Sequence, residues 1–192
     1  MKLLKRVLLL IVVVIVIGVI YVAMQPSHYN IKRNHVIKAP ITNVFNTVNN
    51  LKTWEKWGPW HDEDSTIVIT YGEKTVGVGA SDSWTSKDGP GSMKIIAVEQ
   101  NKSIHQKMQF GDFEPTDIHW TFKEVDGGTE VSWRMEEENA PFVFKIFAAM
   151  SGGWDAMFGP MEEQGLKNLE GVILDDIKNN PPYRLSEVKT VN

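Results

Sequence analysis

The sequence predicts an α+β fold, a seven-stranded antiparallel sheet with a long C-terminal helix, preceded by one N-terminal transmembrane helix. Three observations carry this. Residues 7–24 form an uncharged run rich in Val, Ile and Leu. Between residues 92 and 136, apolar and polar residues alternate through four consecutive strand candidates separated by short turns. From residue 142 to 178 the pattern turns helical, and no strand signal returns.

The first element is the apolar run. Eighteen residues at about 1.5 Å each span a hydrocarbon core of about 30 Å with little to spare. Tyr21 falls where an interfacial aromatic belongs, and Gln25-Pro26 ends the helix. A cleaved signal peptide would need a shorter apolar region and small residues before the cut. The ending Ile20-Tyr21-Val22-Ala23-Met24 offers no such site, so residues 1–26 are expected to be an uncleaved anchor. Lys2, Lys5 and Arg6 precede the run, which places the N-terminus in the cytoplasm and the domain outside the cytoplasmic membrane.

Residues 27–38 read as a first strand ended by Ala39-Pro40. A helix follows over 41–51, with Thr42 as its cap and Val44, Phe45 and Val48 on its buried face. A second short helix carries Trp54 and Trp57 on one side and stops at Pro59. Six strands are expected at 65–71, 78–85, 92–98, 103–110, 116–125 and 129–136. Asp126-Gly127 marks a two-residue hairpin, with positive φ expected at both positions. That turn sets Phe122 opposite Val131 and Trp120 opposite Trp133. A turn centred on Asp112 sets Trp120 opposite Ile104. A turn at Gln100-Asn101 sets Ile104 opposite Ala97 and Met108 opposite Met93. One sheet face then holds Met93, Ile95, Ile104, Met108, Phe110, Ile118, Trp120, Phe122, Val131, Trp133 and Met135. The other holds His105, Lys107, Gln109, Asp117, His119, Thr121, Ser132, Arg134 and Glu136. One buried and one solvated face suit an antiparallel sheet. In the last helical stretch, Gly152-Gly153 interrupts and Pro160 is expected to kink or restart the helix. The tail from residue 179 reads as irregular.

Composition narrows the function. Cysteine is absent, which excludes disulfides, thiolate metal sites and cysteine nucleophiles. Three of the 20 basic residues lie in the anchor, leaving 17 against 24 acidic ones, so nucleic acid is not an expected partner. Seven Trp and eight Met suit a large apolar interior or a pocket lining. No phosphate loop, dinucleotide fingerprint, nucleophile elbow or zinc spacing is present, and no cofactor is expected.

Val36-Ile37-Lys38-Ala39-Pro40 leads to Val44-Phe45, then come Leu51, Trp54 and Trp57. Gly77-Val78-Gly79-Ala80 follows with Trp84, and Gly165-Leu166-Lys167-Asn168-Leu169 lies in the last helix. In this order the set resembles the START-like (SRPBCC) superfamily, in its polyketide cyclase/dehydrase and lipid-transport branch. The resemblance covers about residues 30–178. It implies the helix-grip fold over residues 27–178, a curved sheet gripping the C-terminal helix around an apolar cavity. It also implies a hydrophobic small molecule or lipid as ligand, and in some members cyclisation or dehydration.

On that reading Trp54, Trp57, Trp60, Trp84, Met108, Trp120, Trp133, Met157 and Met161 are the expected ligand-binding residues. The same residues would equally fill a closed core. Asp82 shares parity with Ala80 and Trp84. It is either an inward acid, able to act in proton transfer, or a wet residue near a strand end, which is the commoner outcome. Gln106 shares parity with Ile104 and Met108. His105 and His119 fall opposite each other outside, more simply a cross-strand pair than a metal site. His61-Asp62-Glu63-Asp64 lacks the spacing of a calcium loop and reads as a solvated acidic loop. The leading expectation is a membrane-anchored binding module. The alternatives are an enzyme using Asp82 and an envelope protein-interaction domain without ligand.

Overall fold

The computed structural model describes residues 1–60 and 64–180. Helix α1 (Lys2–Met24) leads into β1 (Tyr29–Ile37). Next come α2 (Ile41–Val48), a 3-10 turn (Leu51–Thr53) and α3 (Trp54–Trp57). Strands β2 (Val68–Tyr71), β3 (Ser81–Thr85), β4 (Gly91–Glu99), β5 (Ser103–Phe110), β6 (Thr116–Val125) and β7 (Gly128–Glu137) follow. Helices α4 (Phe142–Ser151) and α5 (Trp154–Asn179) close the described chain. The strands form one antiparallel sheet in the order β1-β7-β6-β5-β4-β3-β2. Helix α5 lies along β1 and also meets α2, α3 and α4. This is the α+β helix-grip arrangement.

Alternation across β4–β7 holds. Phe122 pairs with Val131, Trp120 with Trp133 and with Ile104, and Met93 with Met108. The inner side chains Ile95, Ile104, Ile118, Trp120, Trp133 and Met135 are buried against Val44, Phe45 and Val48 of α2 and Leu166, Leu169 and Ile173 of α5. Burying one face of each element is what holds the layers together, because apolar area leaving water contributes about 25 cal/mol per Å².

Several local expectations are corrected. Ile104 pairs with Val98, not Ala97. The turn after β4 takes three residues, with Asn101 at φ 57°, and a bulge at Ile96 restores the register by Met93. At the Asp126-Gly127 turn only Gly127 has positive φ. Pro40, not Thr42, precedes α2, since its fixed φ of −59° already suits a helix start. Strand β3 begins at Ser81, not residue 78, because Gly77 and Gly79 take φ of 73° and 87° and bend the chain. Helix α5 runs unbroken through Pro160, while Gly152 and Gly153 separate it from α4.

None of the side chains of α1 is buried in the protein. By length and composition α1 is able to cross a membrane, a character that an anchor and a signal sequence share.

Candidate functional site

A cavity of about 250 Å³ lies between the sheet and α5. It is roofed by the segment around α3 and closed on one side by the β2–β3 hairpin. Six of the nine residues singled out from sequence line it: Trp54, Trp60, Trp84, Met108, Trp133 and Met161. Met93, Phe110, Ile118, Met135 and Phe158 complete most of the apolar wall. Trp57 and Trp120 stand behind this wall in the closed core, 1% and 0% exposed, and Met157 is half-buried outside it.

The aromatic wall is built from two places. Strands β6 and β7 stack Trp120 on Trp133 at 4.6 Å. The α3 segment supplies Trp54, which touches Trp57 at 4.5 Å, Trp60 at 5.7 Å and Trp120 at 5.7 Å. The Trp54 indole donates to the Val48 carbonyl, which closes α2 against α3. The Trp120 indole donates to Gln106 Oε1 at 3.0 Å. That bond satisfies the oxygen of an amide that has no exposure at all on the inner face, where its sequence parity puts it, while its Nε2 has no partner among the described residues. Gly165 of α5 lets the Trp133 ring approach the helix closely, since a Cβ there would meet Trp133 Cζ3 at 2.7 Å.

Polar groups enter the wall from one side only. Asp82 of β3 does line the cavity, between Tyr71 and Met93 on the neighbouring strands. Its carboxylate has no hydrogen bond or ion pair among the described residues, and burial pushes its pKa up to about 6. Asp64 is 6% exposed and also lines the cavity. Its Oδ1 accepts from the Thr66 amide and hydroxyl, which hold its pKa below the usual carboxylate range. Its Oδ2 has no partner among the described residues. Asp64 is therefore not part of a solvated loop. Residues 61–63 of that acidic cluster lie outside the described residues. Ser86, Lys87 and Asp88 of the β3–β4 turn line the same side.

Glu162 was not foreseen. It follows Met161 in α5, is 0% exposed, and neither carboxylate oxygen has a partner among the described residues. Burial pushes its pKa up to about 8, with Arg33 pulling it down and Asp155 raising it. The signal was present in the sequence: Glu162 shares the helical stripe of Leu166, Leu169 and Ile173.

On the outer face the His105 and His119 rings stack at 4.1 Å. His105 Nε2 lies 2.6 Å from Asp117 Oδ1, and His119 Nε2 lies 2.9 Å from Glu136. His105, Asp117 and His119 place their ligand atoms within 4.8 Å of one another. Lys107 holds Asp117 at 2.9 Å and Glu136 holds His119, so these side chains already have protein partners. A broader depression of about 430 Å³ over residues 38–41 and 124–128 is an open surface and gathers no acid–base cluster.

The family model described as polyketide cyclase / dehydrase and lipid transport matches residues 37–161. The fold is similar to that of protein CV1439 from Chromobacterium violaceum, with a TM-score of 0.54 and 16% identity. That match covers 75% of this chain and 96% of the other. Protein Ms6760 from Mycobacterium smegmatis matches with a TM-score of 0.52 and 19% identity, over 75% and 90%. The structure of Ara h 8.0201 matches at 0.53 and 14%, over 77% and 99%. At these identities the likeness is one of fold. No curated protein matches the chain in sequence.

Proposed function

Because the chain belongs to the polyketide cyclase/dehydrase and lipid transport family, we propose that it is a membrane-anchored module that binds a hydrophobic or amphipathic small molecule. Residues 1–26 are its uncleaved anchor and 27–178 its binding domain; of the tail read from residue 179, residues 181–192 lie outside the described residues. The basic Lys2, Lys5 and Arg6 keep the N-terminus cytoplasmic and the domain beyond the cytoplasmic membrane. The observation that carries the reading is the cavity itself, with Trp, Met and Phe on most of its wall and acids on one side. Such a lining extracts an apolar body from water and leaves orientation to a few polar groups.

The volume bounds the ligand. At about 250 Å³ it lies just below the roughly 300–1,000 Å³ usual for small-molecule sites. A small ring system or the end of one acyl chain fits, whereas a whole diacyl lipid does not. Asp64, Asp82 and Asp88 outnumber Lys87 on the polar side, which favours a neutral or cationic head over a carboxylate. Native mass spectrometry of the full chain, released gently from a membrane extract, tests this. A stoichiometric hydrophobic adduct is the expected result. A clean apo mass, with no uptake of added decanol or decylamine, would overturn the reading and favour a protein-interaction role.

A second reading is favoured by one observation, the unpaired Asp82 inside the cavity. A carboxyl with a pKa near 6 is suited to general acid–base work on a bound ligand near neutral pH. Once a ligand is known, Asp82→Asn should abolish turnover while retaining binding. Unchanged turnover would remove the enzymatic reading.

A further inference from the structure

The apolar face of α4 has no cover within the described protein. Phe142, Val143, Ile146, Phe147 and Met150 are all exposed, Phe147 by 50% and Met150 by 80%. Their spacing of i, i+1, i+4, i+5 and i+8 makes one continuous stripe. The usual arrangement is inverted. The one charged residue of the helix, Lys145, is turned inward and buried. Phe144 also turns inward, against Phe110 at 6.2 Å and Phe113 at 5.3 Å. An exposed apolar stripe of this kind on a monomer marks a surface that something covers.

What covers it is indicated by where α4 lies. Lys145 Nζ donates to the carbonyl of Ala23, 3.0 Å away in the last turn of α1. An ammonium at this position satisfies a carbonyl that the end of α1 leaves unpaired. Trp154, just past α4, donates to the carbonyl of Pro26. Helix α4 therefore lies against the end of the membrane-spanning helix.

We propose that α4 docks on the surface of the same bilayer that α1 crosses, with Phe142, Val143, Ile146, Phe147 and Met150 buried at the headgroup–acyl boundary. The proposal rests on the reading of α1 as an anchor and is independent of any ligand. The stripe bears no charge, so docking depends on apolar burial and requires no anionic lipid. Docking also gives the cavity a side toward the membrane. Phe110 lines the cavity and touches Phe144 of α4, so a ligand drawn from the bilayer would enter past Phe110 with a short aqueous path.

The chain contains no cysteine, so single introduced cysteines carry a nitroxide label without background. Full-length protein bearing Phe147→Cys, Met150→Cys, Gly18→Cys or Lys123→Cys would be reconstituted in phosphatidylcholine nanodiscs. Accessibility of each label to oxygen and to a water-soluble nickel complex is then measured. Labels at 147 and 150 should lie about 5–10 Å below the headgroup boundary, rich in oxygen and poor in nickel contact. The label at 18 should lie near the bilayer centre, and that at 123 in water. In a Met150→Cys background, Ile146→Asp should move the label into water while the thermal midpoint holds. Labels at 147 and 150 as wet as the one at 123, with 18 in lipid, would overturn docking while leaving the anchor standing. Labels shielded from both reagents would mean a protein cover and would also overturn it. A wet label at 18 would overturn the anchor reading, and docking with it.

Discussion

Glu162 provides the sharpest test of how this interior is balanced. Its carboxyl is fully buried in α5 without a hydrogen-bond partner, facing Tyr29 and Arg33 of β1, with Asp155 one end of the same helix away. In the folded protein its pKa is about 8, against an ordinary value of 4.5. The folded pKa is the higher one, so between those values the folded state holds a proton that the unfolded chain has released. Stability on this account is full below about pH 4.5, falls as pH rises, and levels off above about pH 8. At pH 7 the loss is 2.5 pK units at about 1.36 kcal/mol each, or about 3 kcal/mol. Glu162→Gln keeps the shape of the protonated acid and removes its ionisation. The variant should match the parent within about 1 kcal/mol at pH 5 and exceed it by about 3 kcal/mol at pH 7. For a domain of this size that is roughly 6–12 °C in thermal midpoint, read from tryptophan fluorescence. The variant-minus-parent difference cancels other titrating groups, Asp82 included. Parallel midpoints for the two proteins from pH 5 to 8 would refute the reasoning and mean that Glu162 is hydrated or paired in solution.

Gly165→Ala should destabilise by about 1–2 kcal/mol, because a clash with Trp133 and Pro59 outweighs the better helix propensity of Ala. Near-ultraviolet circular dichroism should report the disturbed tryptophan stack, and an unchanged spectrum with a higher midpoint would contradict it. Arg33→Met removes the bonds to Asp155 and Glu163, whose exposure keeps the direct loss small. Its clearer effect is on Glu162: with the cation gone, the pH above which the gap between the Glu162 and Glu162→Gln curves stops growing should move up from about 8, while the pH at which they part stays near 4.5. The Glu162 pKa should rise further, measured as a proton-release midpoint above that of the parent. Met108→Ala should enlarge the cavity and raise affinity for a longer alkyl alcohol relative to a shorter one, at a stability loss of about 1–2 kcal/mol for a half-buried Met. Calorimetric titration of an alcohol series checks that, and an unchanged chain-length preference would place the ligand elsewhere.

Much of the sheet was legible because strand alternation is local. A side chain on a strand points to one face or the other, and a run of Met, Ile and Trp at every second position admits one buried face. Hence Trp120–Trp133 and Phe122–Val131 could be paired from sequence. The slip at Ile104 was not legible. Whether a turn takes two residues or three depends on Asn101 adopting φ 57° and on the compensating bulge at Ile96, and the unbroken apolar run from Ile95 to Val98 hides the resulting change of phase. Glu162 was legible in principle from its place on an apolar helical stripe, but charge argued it outward.

By itself, then, the sequence determined the apolar N-terminal helix, the one-sided sheet, the long closing helix and the set of aromatics between them, since each follows from periodicity and turn chemistry along the chain. Tertiary structure alone decided which aromatics face a cavity and which fill the core. Trp133 lines the space while its stacking partner Trp120 does not, because what stands over each ring, and at what distance, is set by segments remote in sequence such as Trp54 and Trp57. It likewise drew Asp64 inward from an acidic loop, left Asp82 unpaired in the wall, and set the bare face of α4 beside the end of α1. Such outcomes depend on the packing of segments remote in sequence, and no local pattern encodes that distance.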